Sequence, residues 1–266
     1  MRLVVEHRTL YHYDAPSCEL AQLLRMTPRD GPAQAVVRWS LADERGRRPP
    51  GFVDGFGNAT HLHVRRERHS RVEIRVEGCV ETRDTFGVQG HTGERLPPGF
   101  FLRATPLTAP HPAIEALAEE ARTGTDALDR LHRLMALVSE RVAYRRGATQ
   151  IGTTAAEALL AGAGVCQDHA HLYAVAARAL GHPARYVSGY VLADADPGGE
   201  LASHAWAEAW HPELGWIGFD ASHGICPSDR YVRVAVALDY AGAAPVRGVR
   251  RGPPGERLEV SVRVHE

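Results

Sequence analysis

Three residues in this 266-residue chain have types and an order that could do chemistry together: Cys166, His204 and Asp220. Cys166 lies in the stretch Gly162-Ala163-Gly164-Val165-Cys166-Gln167-Asp168-His169-Ala170-His171-Leu172. From Ala170 to Leu180 the apolar residues Leu172, Val175, Ala176, Ala179 and Leu180 are spaced as one helical face. The cysteine is therefore expected at a loop-to-helix junction, where unpaired N–H groups and the positive dipole end favour negative charge. The glycines before it permit tight backbone geometry and leave room for a substrate.

A sulfur nucleophile needs a base. Downstream run Ser203 to Trp210, then His211-Pro212-Glu213-Leu214, then Gly215 to Asp220. Both flanks read as strands and the proline-containing middle reads as a turn. With His211–Glu213 as the loop, Trp210 faces Leu214 and His204 falls directly opposite Asp220 on the same sheet face. Opposed side chains of a pair are close enough for imidazole and carboxylate to bond. A slip of one residue would send Asp220 to the other face. Cysteine, histidine and aspartate in these positions form a nucleophile–base–orienter set, with Cys166 attacking, His204 moving the proton and Asp220 holding the ring.

On those residues the chain resembles the bacterial transglutaminase-like family, within the papain-like cysteine peptidase fold group. The matching motifs are GVCQD at 164–168, ARYVSGYV at 184–191, SHAWAE at 203–208 and GWIGFD at 215–220. The first third resembles the β domain that accompanies such catalytic domains, through HRTLYHYDAP at 7–16, MTPRDGPAQ at 26–34 and DGFGN at 54–58. The resemblance implies an α+β protein, with an N-terminal antiparallel β-sandwich-like domain followed by a papain-like, transglutaminase-like α+β domain. It also implies thiol-dependent acyl transfer on peptide or glutamine-type amides. Two positions depart from the family pattern: His169 stands where an aromatic apolar residue is usual, and Ala237-Leu238-Asp239-Tyr240 replaces a Gly-Arg-Asp-Tyr run.

The elements that must position these groups follow from periodicity. Residues 1–103 read as β: Leu3–Tyr13 has strand composition, and Val37, Trp39 and Leu41, Leu62 and Val64, and Val72, Ile74 and Val76 each alternate. Residues 104–112 carry three prolines and read as a linker. A catalytic domain with a β tail is expected over 113–266. Within it, helices are predicted at 113–122 and from about 126, with Thr125 as N-cap. Leu128, Leu131, Met135, Val138 and Val142 form the apolar stripe of the second helix. Thr154 and Glu157 fit a capping box, and Gly162 suits the end of that helix. Ala184–Leu192 reads as a strand, Asp194–Glu200 as a polar loop, Tyr231–Leu238 as a strand, and 258–264 as a last strand.

Composition bounds the function. An apolar content of 44% supports a full core, and a net charge of −1 gives no general pull toward nucleic acid or anionic membrane. All basic residues other than histidine are arginine, so the chain cannot be cross-linked through its own lysines. Four scattered cysteines, Cys18, Cys79, Cys166 and Cys226, contain no CxxC pair and suit a reducing compartment. The N-terminus, MRLVVEHRTL, becomes charged too early for a signal peptide, so a cytoplasmic location is expected.

Other chemistry-bearing residues read as structural. Asp168 sits where it would bond free N–H groups of the helix start, Trp206 packs, Glu208 bonds backbone or arginine, and His61 and His63 are strand surface. His223 and Cys226 are close in sequence, but two ligands without partners do not make a zinc site, so no metal and no organic cofactor is expected. Tyr144 and Gln150 are weak candidates for a second oxyanion donor beside the Cys166 N–H. The expected partner is a protein or peptide amide, with hydrolysis favoured over transamidation. Arylamine acetyl transfer lacks its Arg-Gly-Gly lead-in here, and an inert scaffold of the same fold is the rival from another class.

Overall fold

The computed structural model describes residues 1–91, 95–192 and 202–266. The expected loop at 194–200 lies outside them. The first part of the chain is β, as its alternation predicts: β1 (Arg2–Ser17), β2 (Glu19–Thr27), β3 (Gln34–Asp43), β4 (Gly51–Val53), β5 (Ala59–Arg65), β6 (His69–Thr82) and β7 (Val88–Gly90). The helices α1 (Pro112–Ala121) and α2 (Ala127–Arg141) follow, then the short strand β8 (Ala143–Tyr144), α3 (Ala155–Ala161), the short strand β9 (Ala163–Gly164) and α4 (Cys166–Ala179). Strands β10 (Ala184–Val191), β11 (Ser203–His211), β12 (Gly215–Phe219) and β13 (Tyr231–Ala237) come next. A single turn of helix, α5 (Tyr240–Ala243), precedes the last strands, β14 (Val246–Arg251) and β15 (Glu256–His265).

Two four-stranded antiparallel sheets, ordered β15-β1-β6-β3 and β14-β2-β5-β4, form the expected sandwich. Leu24, Met26, Leu41, Ile74 and Val76 fill it. The tail does not extend the sheet of the C-terminal half. Its strands β15 and β14 pair with β1 and β2, so the last 20 or so residues complete the sheets begun by the first 27. In return β7, from the N-terminal region, adds an edge to the five-stranded sheet β13-β10-β11-β12-β7. The two halves interleave because each contributes strands that satisfy the other's open backbone edge.

One sandwich strand reads inside out. His61 and His63 are buried and Leu62 and Val64 are exposed, the reverse of the expected faces. His63 Nδ1 lies 3.1 Å from Gln22 Oε1, and burial holds both imidazoles below their ordinary pKa, which keeps them neutral inside.

The helices cover one face of the five-stranded sheet. Asp126, not Thr125, caps α2, its carboxylate accepting the Asp129 N–H at 2.8 Å. Thr154 and Glu157 form the predicted capping box on α3, and Gly162 ends it in the left-handed region at φ 62°. The 104–112 segment is pinned rather than loose: Thr108 is fully buried and its hydroxyl accepts from Arg178 Nη1 of α4 at 2.8 Å. Among the described residues no helix is long and apolar enough to cross a membrane.

Deleting residues 245–266 removes a strand from each sandwich sheet. Limited proteolysis of that truncation should therefore cut within residues 1–82 far faster than in the whole chain. Unchanged resistance there would show that the tail is dispensable to the sandwich.

Candidate active site

The site is built at the start of α4. Residues 168–178 of this helix are all buried, so the helix is enclosed on every side rather than along one face. Alanines at 170, 174, 176 and 177 let neighbours approach closely. Its entry is fixed by Asp168, whose Oδ2 accepts the Val165 N–H at 2.8 Å and the Thr149 hydroxyl at 2.6 Å. A side chain at Gly164 would place its Cβ 2.7 Å from the Cβ of Asp168, so glycine is required there. His169 ties the same turn to the end of α2, with ring nitrogens 2.9 Å from the Val165 carbonyl and 2.8 Å from that of Val142. Cys166 is thus the first residue of a rigidly held helix, at half burial.

His204 and Asp220 come from the hairpin of β11 and β12. Trp210 pairs with Trp216, not Leu214, and the turn is Pro212–Leu214, closed by Gly215 at φ 73°. The loop takes this form because a three-residue turn needs a residue in the left-handed region at its end. The register is displaced by two residues from the expected one, which keeps Asp220 on the same face as His204 but sets it diagonally. The bond still forms: His204 Nε2 donates to Asp220 Oδ2 at 2.7 Å. The Cys166 thiol lies close enough to His204 to favour its protonated form. With Nε2 committed to the carboxylate, Nδ1 is the nitrogen left for the sulfur.

The imidazole is 7% exposed and its charge has strong partners. Burial opposes protonation, but the bonds and charges of Asp220 and Cys166 outweigh it and raise His204 to about 10. Asp220, 1% exposed, is also disfavoured as an anion by burial, yet its bonds to His204 and His223 hold it well below the ordinary carboxylate range. Four residues beyond His204 along β11 and on the same face, Glu208 lies between Arg185 and Arg233, at 2.6 and 2.7 Å. Arg185 in turn stacks 3.8 Å above Trp216. Burial works against the Glu208 charge, and the two arginines prevail, bringing it to about 2.

Two residues at the site escape sequence reasoning. His223 Nδ1 reaches Asp220 Oδ2 at 2.7 Å, and the Tyr231 hydroxyl donates to the same oxygen at 2.8 Å. Ser222 serves Oδ1 through its N–H and hydroxyl. His223 therefore joins His204 and Asp220, not Cys226, which packs against the helical core. A Ser-His pair two and three residues after an aspartate is a local turn signal that could have placed His223. Tyr231 has no such signal, because it arrives from another strand. Trp206 packs edge-on to Tyr231 with ring centroids 5.4 Å apart. Tyr144 lies within electrostatic reach of Cys166 and Asp220, whereas Gln150 serves a turn through its backbone with Thr153.

The His204–Asp220 pair makes stability depend on pH. His204 is raised from 6.5 to about 10, so its contribution is full below 6.5 and fades as pH rises toward 10. Asp220 is lowered from 3.8, so its contribution is present above that value and lost as pH falls below it. The difference in thermal midpoint between wild type and Asp220→Asn should be widest between about pH 4 and 6.5 and shrink toward pH 10. A difference that ignores pH would refute the ion pair. Cys166 should also be alkylated by iodoacetamide faster than Cys226, which burial pushes up to about 11. Equal, slow labelling of all four cysteines would separate Cys166 from its imidazole.

Known proteins share this architecture. Residues 115–221 match the model of the transglutaminase-like superfamily, and residues 3–81 match that of the bacterial transglutaminase-like N-terminal region. An uncharacterized protein of Mycobacterium tuberculosis is 32% identical, over 93% of this chain and 87% of its own length. A protein-glutamine gamma-glutamyltransferase of Pseudomonas aeruginosa is 35% identical over 34% of this chain and 15% of that much longer one. Among solved structures, a Cytophaga hutchinsonii protein provisionally named a cysteine protease aligns over 100% of this chain and 90% of its own. Its TM-score is 0.77 at 20% identity, a likeness of fold.

Proposed function

The chain belongs to the transglutaminase-like superfamily, and from that premise we propose that it is an enzyme that transfers acyl groups from peptide or glutamine-type amides through a thioester on Cys166. The observation that carries this reading is His204, hydrogen-bonded to Asp220 and close enough to the Cys166 thiol for the sulfur to act on its protonation.

In this reading His204 takes the thiol proton on Nδ1, and the thiolate adds to the amide carbonyl. Asp220 stabilises the imidazolium and holds its tautomer. The Cys166 N–H, at the first position of α4 where no helical carbonyl is available to it, faces the developing oxyanion. The C–N bond then breaks while His204 returns its proton to the departing amine or ammonia. Water, deprotonated by His204, next attacks the thioester and releases the acid and the thiolate. This hydrolysis is the reading we favour. Transamidation differs only in the second nucleophile, an amine in place of water, and the Pseudomonas aeruginosa relative supports keeping it as the second reading. Neither route needs a metal or an organic cofactor. All four cysteines are free, which fits a reducing compartment, and we place the protein in the cytoplasm on that ground.

A peptide-amide library incubated with and without a primary amine, and read by mass spectrometry, tests the proposal. Ammonia loss or chain cleavage in water identifies a hydrolase, and amine incorporation a transamidase. Cys166→Ala should lose all turnover, a fall of roughly 10⁴-fold or more if the acylation route is the sole one. Persistent turnover in that variant would move the chemistry elsewhere in the molecule.

A further inference from the structure

Acyl transfer by cysteine, histidine and aspartate needs one imidazole on the carboxylate, and this protein has two. His204 Nε2 and His223 Nδ1 each lie 2.7 Å from the same atom, Asp220 Oδ2. Their rings are tilted by 32° with centroids 4.8 Å apart. The three candidate ligand atoms all fall within 4.8 Å of one another. His204 and Asp220 are buried, whereas the His223 side chain is 48% exposed, so the cluster opens to solvent on that side. Two imidazoles and one carboxylate are a donor set suited to zinc and similar borderline cations.

We propose that His204, Asp220 and His223 form an inhibitory binding site for a divalent cation of the zinc type. Occupation requires the His223 ring to move. Metal–ligand bonds of about 2.0–2.2 Å place tetrahedral ligand atoms about 3.3 Å apart, so each N–O contact must open by roughly 0.6 Å and the two imidazole nitrogens, up to 4.8 Å apart, must draw together by as much as about 1.5 Å. His223 can supply much of that movement, since its own side chain is exposed and it sits in the turn 221–224 rather than in a strand. The Tyr231 hydroxyl stays beside Asp220 to hold the carboxylate, and solvent completes the coordination on the exposed side.

Inhibition follows from the imidazole's two nitrogens, and this part rests on the acyl-transfer reading. A cation on Nε2 uses the lone pair there, so the hydrogen of the neutral ring moves to Nδ1. That nitrogen can no longer accept the proton of the Cys166 thiol. The cation also replaces the proton through which Asp220 orients the ring. His204 is thereby removed as a base while the helix and the sulfur stay in place.

The rival site for zinc is the Cys166 sulfur, and the experiment separates the two. Zinc binding to chelator-treated protein is measured by titration calorimetry, and cobalt is used as a spectroscopic substitute, in wild type, Cys166→Ser, and Cys166→Ser combined with His223→Ala or His223→Asn. Cys166→Ser should bind one equivalent. Either His223 change should weaken binding by at least about tenfold, as loss of a ligand requires. Amide turnover by the wild type, once its substrate is in hand, should fall with zinc over the same concentration range. Loss of binding in Cys166→Ser would assign the ion to the sulfur and overturn the proposal. So would equal binding with and without His223. Binding at the cluster with undiminished turnover would overturn the inhibitory role, and the calorimetric arms stand whether or not the acyl-transfer reading survives.

Discussion

A helix with no solvent face sets the geometry of this protein. Because α4 is enclosed by α1, α2 and α3 on one side and by β10 and β11 on the other, its first residue cannot drift relative to the sheet. Enclosure also makes its polar groups costly unless they are bonded, and each of the bonds they make draws in another part of the chain. Arg178 gathers the carbonyls of Phe101, Ala184 and Leu238 and the hydroxyl of Thr108. His171 accepts the Tyr240 N–H at 2.9 Å. The tail stretch 237–240, which carries no reacting group, therefore acts as a brace for the helix.

The carboxylate shows the same logic at smaller scale. Asp220 is almost wholly buried, and an anion there persists only if its lone pairs are filled. His204, His223, Tyr231 and Ser222 fill them. Such a set fixes the carboxylate, and through it the plane of the His204 ring. Asp220 is thus held by four residues, two from its own turn and two from separate strands.

The sandwich and the five-stranded sheet are joined by amide side chains as well as by strands. Gln34 pairs with both the N–H and the carbonyl of Arg233, each at 2.8 Å, and Asn58 does the same with Val236. Both imitate a neighbouring strand on β13, the outer edge of the five-stranded sheet. This capping blocks an edge that would otherwise pair with another chain. It also explains why the turn at 54–58 belongs to the interface and not merely to a hairpin.

Sequence alone determined what depends on neighbours a few residues apart. The capping box at Thr154, the left-handed glycine at 162, the helix start at Cys166 and the shared face of His204 and Asp220 all follow from local backbone sterics or from the period of a strand. Parity survived even where the register did not, because a displacement of two residues leaves every side chain on its own face. The tertiary structure alone decided the pairing of β14 and β15 with β2 and β1, the inward turn of His61 and His63, and the arrival of His223 and Tyr231 at one carboxylate oxygen. Those outcomes depend on which backbone edges and buried charges remain unsatisfied once distant segments meet, and no short stretch of residues carries that information.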